Sequence, residues 1–129
     1  MSEQTERYAT IIEKSADCGF VLAPVLVPDE PDWQGDVISA EEIEKAAHSY
    51  MADSQRGAYM HRQGLDDSQV MLVESSILRA DTTIHGTTLK AGTWLCAWKI
   101  LHPELRDMIR SGQITGLSIG AELWRDPIS

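Results

Sequence analysis

Residues 20–27 read Phe-Val-Leu-Ala-Pro-Val-Leu-Val, a nearly unbroken apolar run of the length of a strand buried on both faces. Pro24 removes a ladder donor, so an edge position or a bulge is expected there. Residues 28–36 are rich in Pro, Asp and Gly and predict a loop. Ser39 followed by Glu42 is a capping box. Behind it, Ile43, Ala46, Ala47 and Tyr50 share one helical face, and Glu41, Glu44, Lys45 and His48 occupy the rest. Residues 57–61 predict a short strand ending at His61, and the polar stretch 62–69 a loop. Residues 70–79 alternate weakly and predict a central strand. Regular alternation puts Glu74 on the same side as Val70, Leu72 and Leu78, where an unpaired carboxylate is costly.

The second half continues in the same manner. Residues 81–89 form a polar, hairpin-like connection around His85-Gly86. Residues 93–100 make a strand with Trp94, Cys96, Trp98 and Ile100 on one side. His102-Pro103-Glu104 opens a short helix with proline at its first position, and Gly112 is a stop signal. Residues 114–124 predict a last strand, with Leu117, Ile119, Ala121 and Leu123 on one side and Ser118, Gly120 and Glu122 on the other. Residues 1–15 are expected to be a loosely ordered start. Five or six strands with mostly short connections imply an α+β domain. It is a mainly antiparallel small β-barrel or sheet with about two peripheral helices, in one unit over residues 1–129.

Composition narrows the function. The chain has 129 residues and a formal net charge of −9. An acidic surface argues against nucleic acid as a partner. The hydrophobic runs are too short for a membrane span, and residues 2–14 lack the pattern of a secretory leader. Cys18 and Cys96 are widely separated and fit neither a metal knuckle nor a disulfide framework. The acids of residues 28–36 do not have calcium-loop spacing. No metal or cofactor is expected.

Candidate chemistry centres on Gly116-Leu117-Ser118-Ile119-Gly120. The spelling matches a nucleophile elbow, but an elbow needs a following helix and a later histidine. Here a strand-like segment follows, and all four histidines precede Ser118. A serine can be activated by an earlier histidine. His48 falls on a helix face, His85 in a turn and His102 at a helix start. His61 ends a strand and is the candidate base. The bland alternative is a strand serine whose flanking glycines allow close packing, with a partly buried histidine elsewhere.

The ordered set of landmarks resembles a known family. The segment VLVPDEPDWQGDVISAEEI from Val25 to Ile43 is followed by His61, Val73-Glu74-Ser75, Gly92-Thr93-Trp94, Pro103-Glu104-Leu105 and the run from Gly112 to Gly120. This order resembles the XkdF-type phage serine proteases, relatives of prohead maturation proteases, and covers about residues 20–123. The resemblance implies an assemblin-like β-barrel and a serine endopeptidase that cuts scaffold and major capsid proteins during head assembly. Ser118 would be the nucleophile and His61 the base. It also implies action in the host cytoplasm or the prohead, without secretion, and a possible homodimer. In such enzymes the third catalytic residue often follows the serine. Here only Glu122 and Asp126 are acids after Ser118, so Glu74 is the expected orienter of His61. Family members often continue into a scaffold-like tail. The alternative is a catalytically inactive phage structural or scaffold-associated protein of the same fold; a small-molecule hydrolase using the same pair is more distant.

Overall fold

The structure, a computed structural model, describes residues 8–31, 36–56, 70–118 and 123–125. Within them lie β1 (Tyr8–Thr10), β2 (Glu13–Lys14), β3 (Phe20–Leu26), α1 (Ala40–Arg56), β4 (Val70–Ile77), β5 (Thr82–Ile84), β6 (Thr87–Leu89), β7 (Trp94–Ile100), α2 (Pro103–Arg110), β8 (Ile114–Ser118) and β9 (Leu123–Arg125). The strands form three sheets, ordered β1-β8-β9, β2-β3-β7-β4 and β5-β6, and all the strand pairs are antiparallel. This is the α+β class with two helices that the apolar pattern implies.

The first two sheets are joined through their backbone. Ile11 N–H donates to Thr115 O at 3.0 Å, and the next amide, Ile12 N–H, donates to Leu22 O at 2.9 Å. Consecutive residues thus serve different sheets, and β1 with β2 acts as one bent strand. The start expected to be loose is therefore held in strands from Tyr8 onward. Strands β9, β8, β1/β2, β3, β7 and β4 form one connected run. The run ends at β4 and β9, and among the described residues it does not close into the barrel implied by the resemblance.

β7 lies in the middle of its sheet, and every residue in it except Lys99 is buried. The sequence pattern assigned only one side to the core. The main core joins Val21 and Ala23 of β3, Cys96, Trp98 and Ile100 of β7, Ile43 and Ala47 of α1, Ile109 of α2, and Ile114 and Leu117 of β8. Each large apolar side chain so buried contributes about 1.5–3 kcal/mol. Ala46, expected on the buried face of α1, is exposed, and the stripe narrows to Ile43, Ala47 and Tyr50. On the reverse side of β7, Leu95 and Ala97 are also buried, as is Leu89 of β6. The β5-β6 hairpin reaches this side: His85 at its tip stands 3.4 Å from Glu13, whose cross-strand partner Leu22 pairs in turn with Ala97. His85 and Gly86 both have positive φ, 47° and 83°, as a two-residue hairpin turn requires.

Local signals held where backbone chemistry decides them. Glu42 N–H donates to Ser39 Oγ at 3.2 Å, and Ser39 N–H donates back to Glu42 Oε1 at 3.2 Å, which completes the capping box. The register slips between Pro24 and Leu26, the bulge expected at this proline. α2 begins at Pro103 and ends in a Schellman motif: Gly112 N–H donates to Ile109 O, and Gln113 N–H to Met108 O at 2.9 Å.

Candidate functional site

Ser118 closes β8. The strand is held on one side by β1, with Tyr8 opposite Ser118 and Thr10 opposite Gly116. On the other side lies β9, with Leu117 opposite Leu123 and Gly116 opposite Trp124. Ile114, Gly116 and Leu117 are buried. The single last strand expected over residues 114–124 is therefore two strands, and the chain reverses between Ser118 and Leu123. Leu117 and Leu123 face each other across a pair instead of lying along one strand. Backbone pairing overrode the alternation. A strand follows the serine here, where an elbow would have a helix. The serine is thus at the mouth of a hairpin, on a strand braced by neighbours on both sides.

His61 lies outside the described residues, as does the short strand expected at 57–61. The other three histidines are engaged structurally. His48 lies 3.9 Å from Glu44, one helical turn away. His85 meets Glu13 at the hairpin tip. His102 caps α2, its Nδ1 accepting from Glu104 N–H at 3.2 Å.

Glu74 is not where alternation puts it. The register slips between Leu72 and Glu74: Leu72 faces Trp98, and Glu74 faces Ala97, the very next residue of β7. Val73 is the extra residue of a β-bulge, and it shifts the side-chain period by one. Val70 is buried and Leu72, Ser75 and Ile77 are half-buried, but Glu74 is exposed. It is bonded to no described residue. The expectation of a carboxylate on the core side is corrected, and burial no longer argues for Glu74 as an orienter.

Ser75 takes the inward place instead. Its Oγ accepts from Trp94 Nε1–H at 2.9 Å, and it sits opposite Cys96. Burial pushes the Cys96 thiol up to about 12, against a smaller opposing effect of the Ser75 hydroxyl. Two of the landmark segments, Val73-Glu74-Ser75 and Gly92-Thr93-Trp94, thus meet through one half-buried hydrogen bond, which sequence reasoning missed because the bulge was not foreseen.

Charge elsewhere is structural. The carboxyl of Asp17 is held below its usual range, first by Gly19 N–H and then by the Ser15 hydroxyl. Glu44 is lowered by its hydrogen bond to Arg79. Among the described residues no group of three or more His, Cys, Asp or Glu is placed to hold a metal ion. No helix among them is long and apolar enough to cross a membrane.

The fold is antiparallel α+β with Ser118 at the end of β8, and comparison with known proteins identifies the group. Residues 8–124 match the family described as "Putative phage serine protease XkdF". The chain belongs to this family. It is 34% identical over 117 residues to the uncharacterized protein YqbD of Bacillus subtilis (strain 168), covering 88% of this chain and 35% of that protein. It is also 34% identical over 100 residues to the phage-like element PBSX protein XkdF of the same organism, covering 78% of this chain and 35% of the relative. The chain thus spans about a third of the length of these curated relatives. No solved structure matches.

Proposed function

We propose that this chain is the endopeptidase unit of a phage head-maturation system, with Ser118 as nucleophile and His61 as general base. The observation that carries the reading is the family match over residues 8–124, which includes both residues. The pairing of β8 with strands on both sides supports it, because a nucleophile needs a rigid carrier. In this mechanism Ser118 Oγ attacks the scissile carbonyl carbon while His61 takes the hydroxyl proton. Collapse of the tetrahedral adduct breaks the C–N bond, and the proton passes from His61 to the leaving amine. Water then hydrolyses the acyl-enzyme by the same proton route. Backbone N–H groups near the hairpin mouth would hold the oxyanion.

The proposed substrates are scaffold and major capsid proteins, cut in the host cell within the immature head by a homodimeric enzyme. Co-expression with scaffold and capsid protein tests this: the parent yields cleavage products, and Ser118→Ala and His61→Ala do not. Ser118→Ala cutting as well as the parent would remove the serine mechanism. Silence of every form toward every partner would leave the structural-component reading. Glu74→Gln decides the third role. A loss of 100-fold or more in turnover, on the order expected when a triad's orienting acid goes, makes Glu74 the orienter. Unaltered turnover takes it out of the mechanism.

A further inference from the structure

Tyr8 opens β1 and Ser118 closes β8, and the two are paired, so they form the last rung of that ladder. Directly opposite residues of an antiparallel pair take the same side of the sheet, and successive rungs alternate. The register therefore sorts the three rungs. Ala9 and Leu117 share one side, and both belong to the buried main core. Tyr8, Thr10, Gly116 and Ser118 fall on the other side, where Thr10 is exposed. On the other flank of β8, Trp124 pairs with Gly116 and so joins that second side.

Two aromatic residues thus flank the serine's place in the sheet. Tyr8 stands on the serine's own rung. Trp124 stands on the rung of Gly116, the next one on the same side, where the glycine brings no side chain of its own. No pattern within one strand reveals this grouping, since Tyr8 and Trp124 lie near opposite ends of the chain.

We infer that Tyr8, with Trp124 one same-side rung away, sets the specificity of the proposed cleavage for an apolar or aromatic side chain on the acyl side of the scissile bond. The inference rests on the reading of Ser118 as nucleophile and deepens it. The carbonyl carbon that bonds to Ser118 Oγ is attached directly to the carbon bearing that side chain. Opposite positions in a ladder have Cβ atoms about 4.5–5.5 Å apart, so this substrate side chain is the one that comes within reach of the Tyr8 rung. Aromatic residues offer it a large apolar surface. A carboxylate or ammonium placed there would shed water without gaining a partner from either ring.

The test measures the rate of covalent labelling of the full chain, read as the mass of the Ser118 peptide. The probes are peptidyl diphenyl phosphonates that differ only in the side chain beside phosphorus: benzyl, isobutyl, carboxymethyl or aminobutyl. In each, Ser118 Oγ bonds to phosphorus, one P–O bond to a phenoxide breaks, and the serine proton leaves with it as phenol. An alkyl fluorophosphonate without such a side chain checks the nucleophile itself. The benzyl and isobutyl probes should label Ser118 about 10- to 200-fold faster than the charged pair, the range over which apolar pockets discriminate. Tyr8→Ala should reduce that ratio by about 10-fold or more, and Tyr8→Phe should keep it. Should Tyr8→Ala not fold, Tyr8→Lys carries the test: its carboxymethyl-to-aminobutyl ratio should rise by about 2- to 5-fold, the range of an exposed ion pair. A parent that the fluorophosphonate labels but that shows no apolar preference would overturn the inference and leave the protease reading standing. So would a preference that Tyr8→Ala keeps, a Tyr8→Lys chain with an unmoved ratio, or a Tyr8→Phe loss as deep as that of Tyr8→Ala, which would give the effect to the hydroxyl. A parent that the fluorophosphonate leaves unlabelled at Ser118 would strike the protease reading, and the inference with it.

Discussion

Gly92 is the position where one added methyl group should do most damage. It sits between β6 and β7 with φ +95°, and a Cβ there would stand 2.8 Å from Ala40 Cβ and 3.2 Å from Pro28 Cγ. Two costs add. Holding an L-residue in left-handed backbone costs about 1–2 kcal/mol. Forcing a methyl against the first residue of α1 and a buried proline adds about 1–3 kcal/mol of overpacking. Gly92→Ala should therefore lose about 2–5 kcal/mol. Gly112 and Gly86 are the controls, with φ +86° and +83° and no atom within 4 Å of the added Cβ. Their alanine variants should lose only the conformational part. Urea unfolding of the full chain at 25 °C, with equal slopes for all variants, gives the comparison. Ala40→Gly in the Gly92→Ala background should return part of the loss, which isolates the contact. A Gly92→Ala loss within about 0.5 kcal/mol of the Gly112→Ala loss would refute the reasoning, because it would mean that the α1 terminus does not press on this turn.

Further outcomes follow from the same geometry. Ser75→Ala should cost about 1–3 kcal/mol by stranding the Trp94 indole N–H, visible as a lowered urea midpoint and altered tryptophan emission; an unchanged midpoint would mean that the bond carries no weight. The Cys96 thiol, raised from 9.0 to about 12 by burial, should resist a thiol reagent in the native chain at pH 8 and react once urea unfolds it; prompt native labelling of Cys96 would contradict its burial. The sign of its linkage follows from the neutral form being favoured in the fold. Its stabilising share is whole below pH 9 and is lost as pH rises from about 9 toward 12, so Cys96→Ala should flatten the fall in stability over that window, and an equal fall in both forms would exclude the effect. His102→Ala should lose about 0.5–2 kcal/mol by removing the α2 cap, while His102→Asn keeps an acceptor and most of the stability; equal loss in the two would show that the cap bond is not the cause.

The site was half legible. Ser118 could be singled out from its flanking glycines, and its strand is there. That it closes the strand was not legible, because residues 114–124 read as one alternating run. Glu74 was misplaced for a related reason. Alternation assumes one residue per pleat, and a bulge breaks that assumption by a hydrogen-bond choice between strands that are distant in sequence. The landmark order from Val25 to Gly120 carried the family correctly, since it depends on residue identity and not on which side of a strand each residue takes.

What the chain determined by itself is therefore the chemistry of neighbours in sequence. The Ser39–Glu42 box, the His85-Gly86 turn, Pro103 at the start of α2 and Gly112 at its end each act within five residues, where covalent geometry limits the choices. Tertiary structure decided the rest. Only pairing with β8 turned residues 8–10 into a strand, and only consecutive donations from Ile11 and Ile12 bent that strand between two sheets. Only contact with β7 pushed Val73 out, sent Glu74 to the solvent and turned Ser75 to Trp94. The physical reason is that a strand's partners lie far away in sequence, so its register is set by the packing of the whole sheet and not by its own pattern.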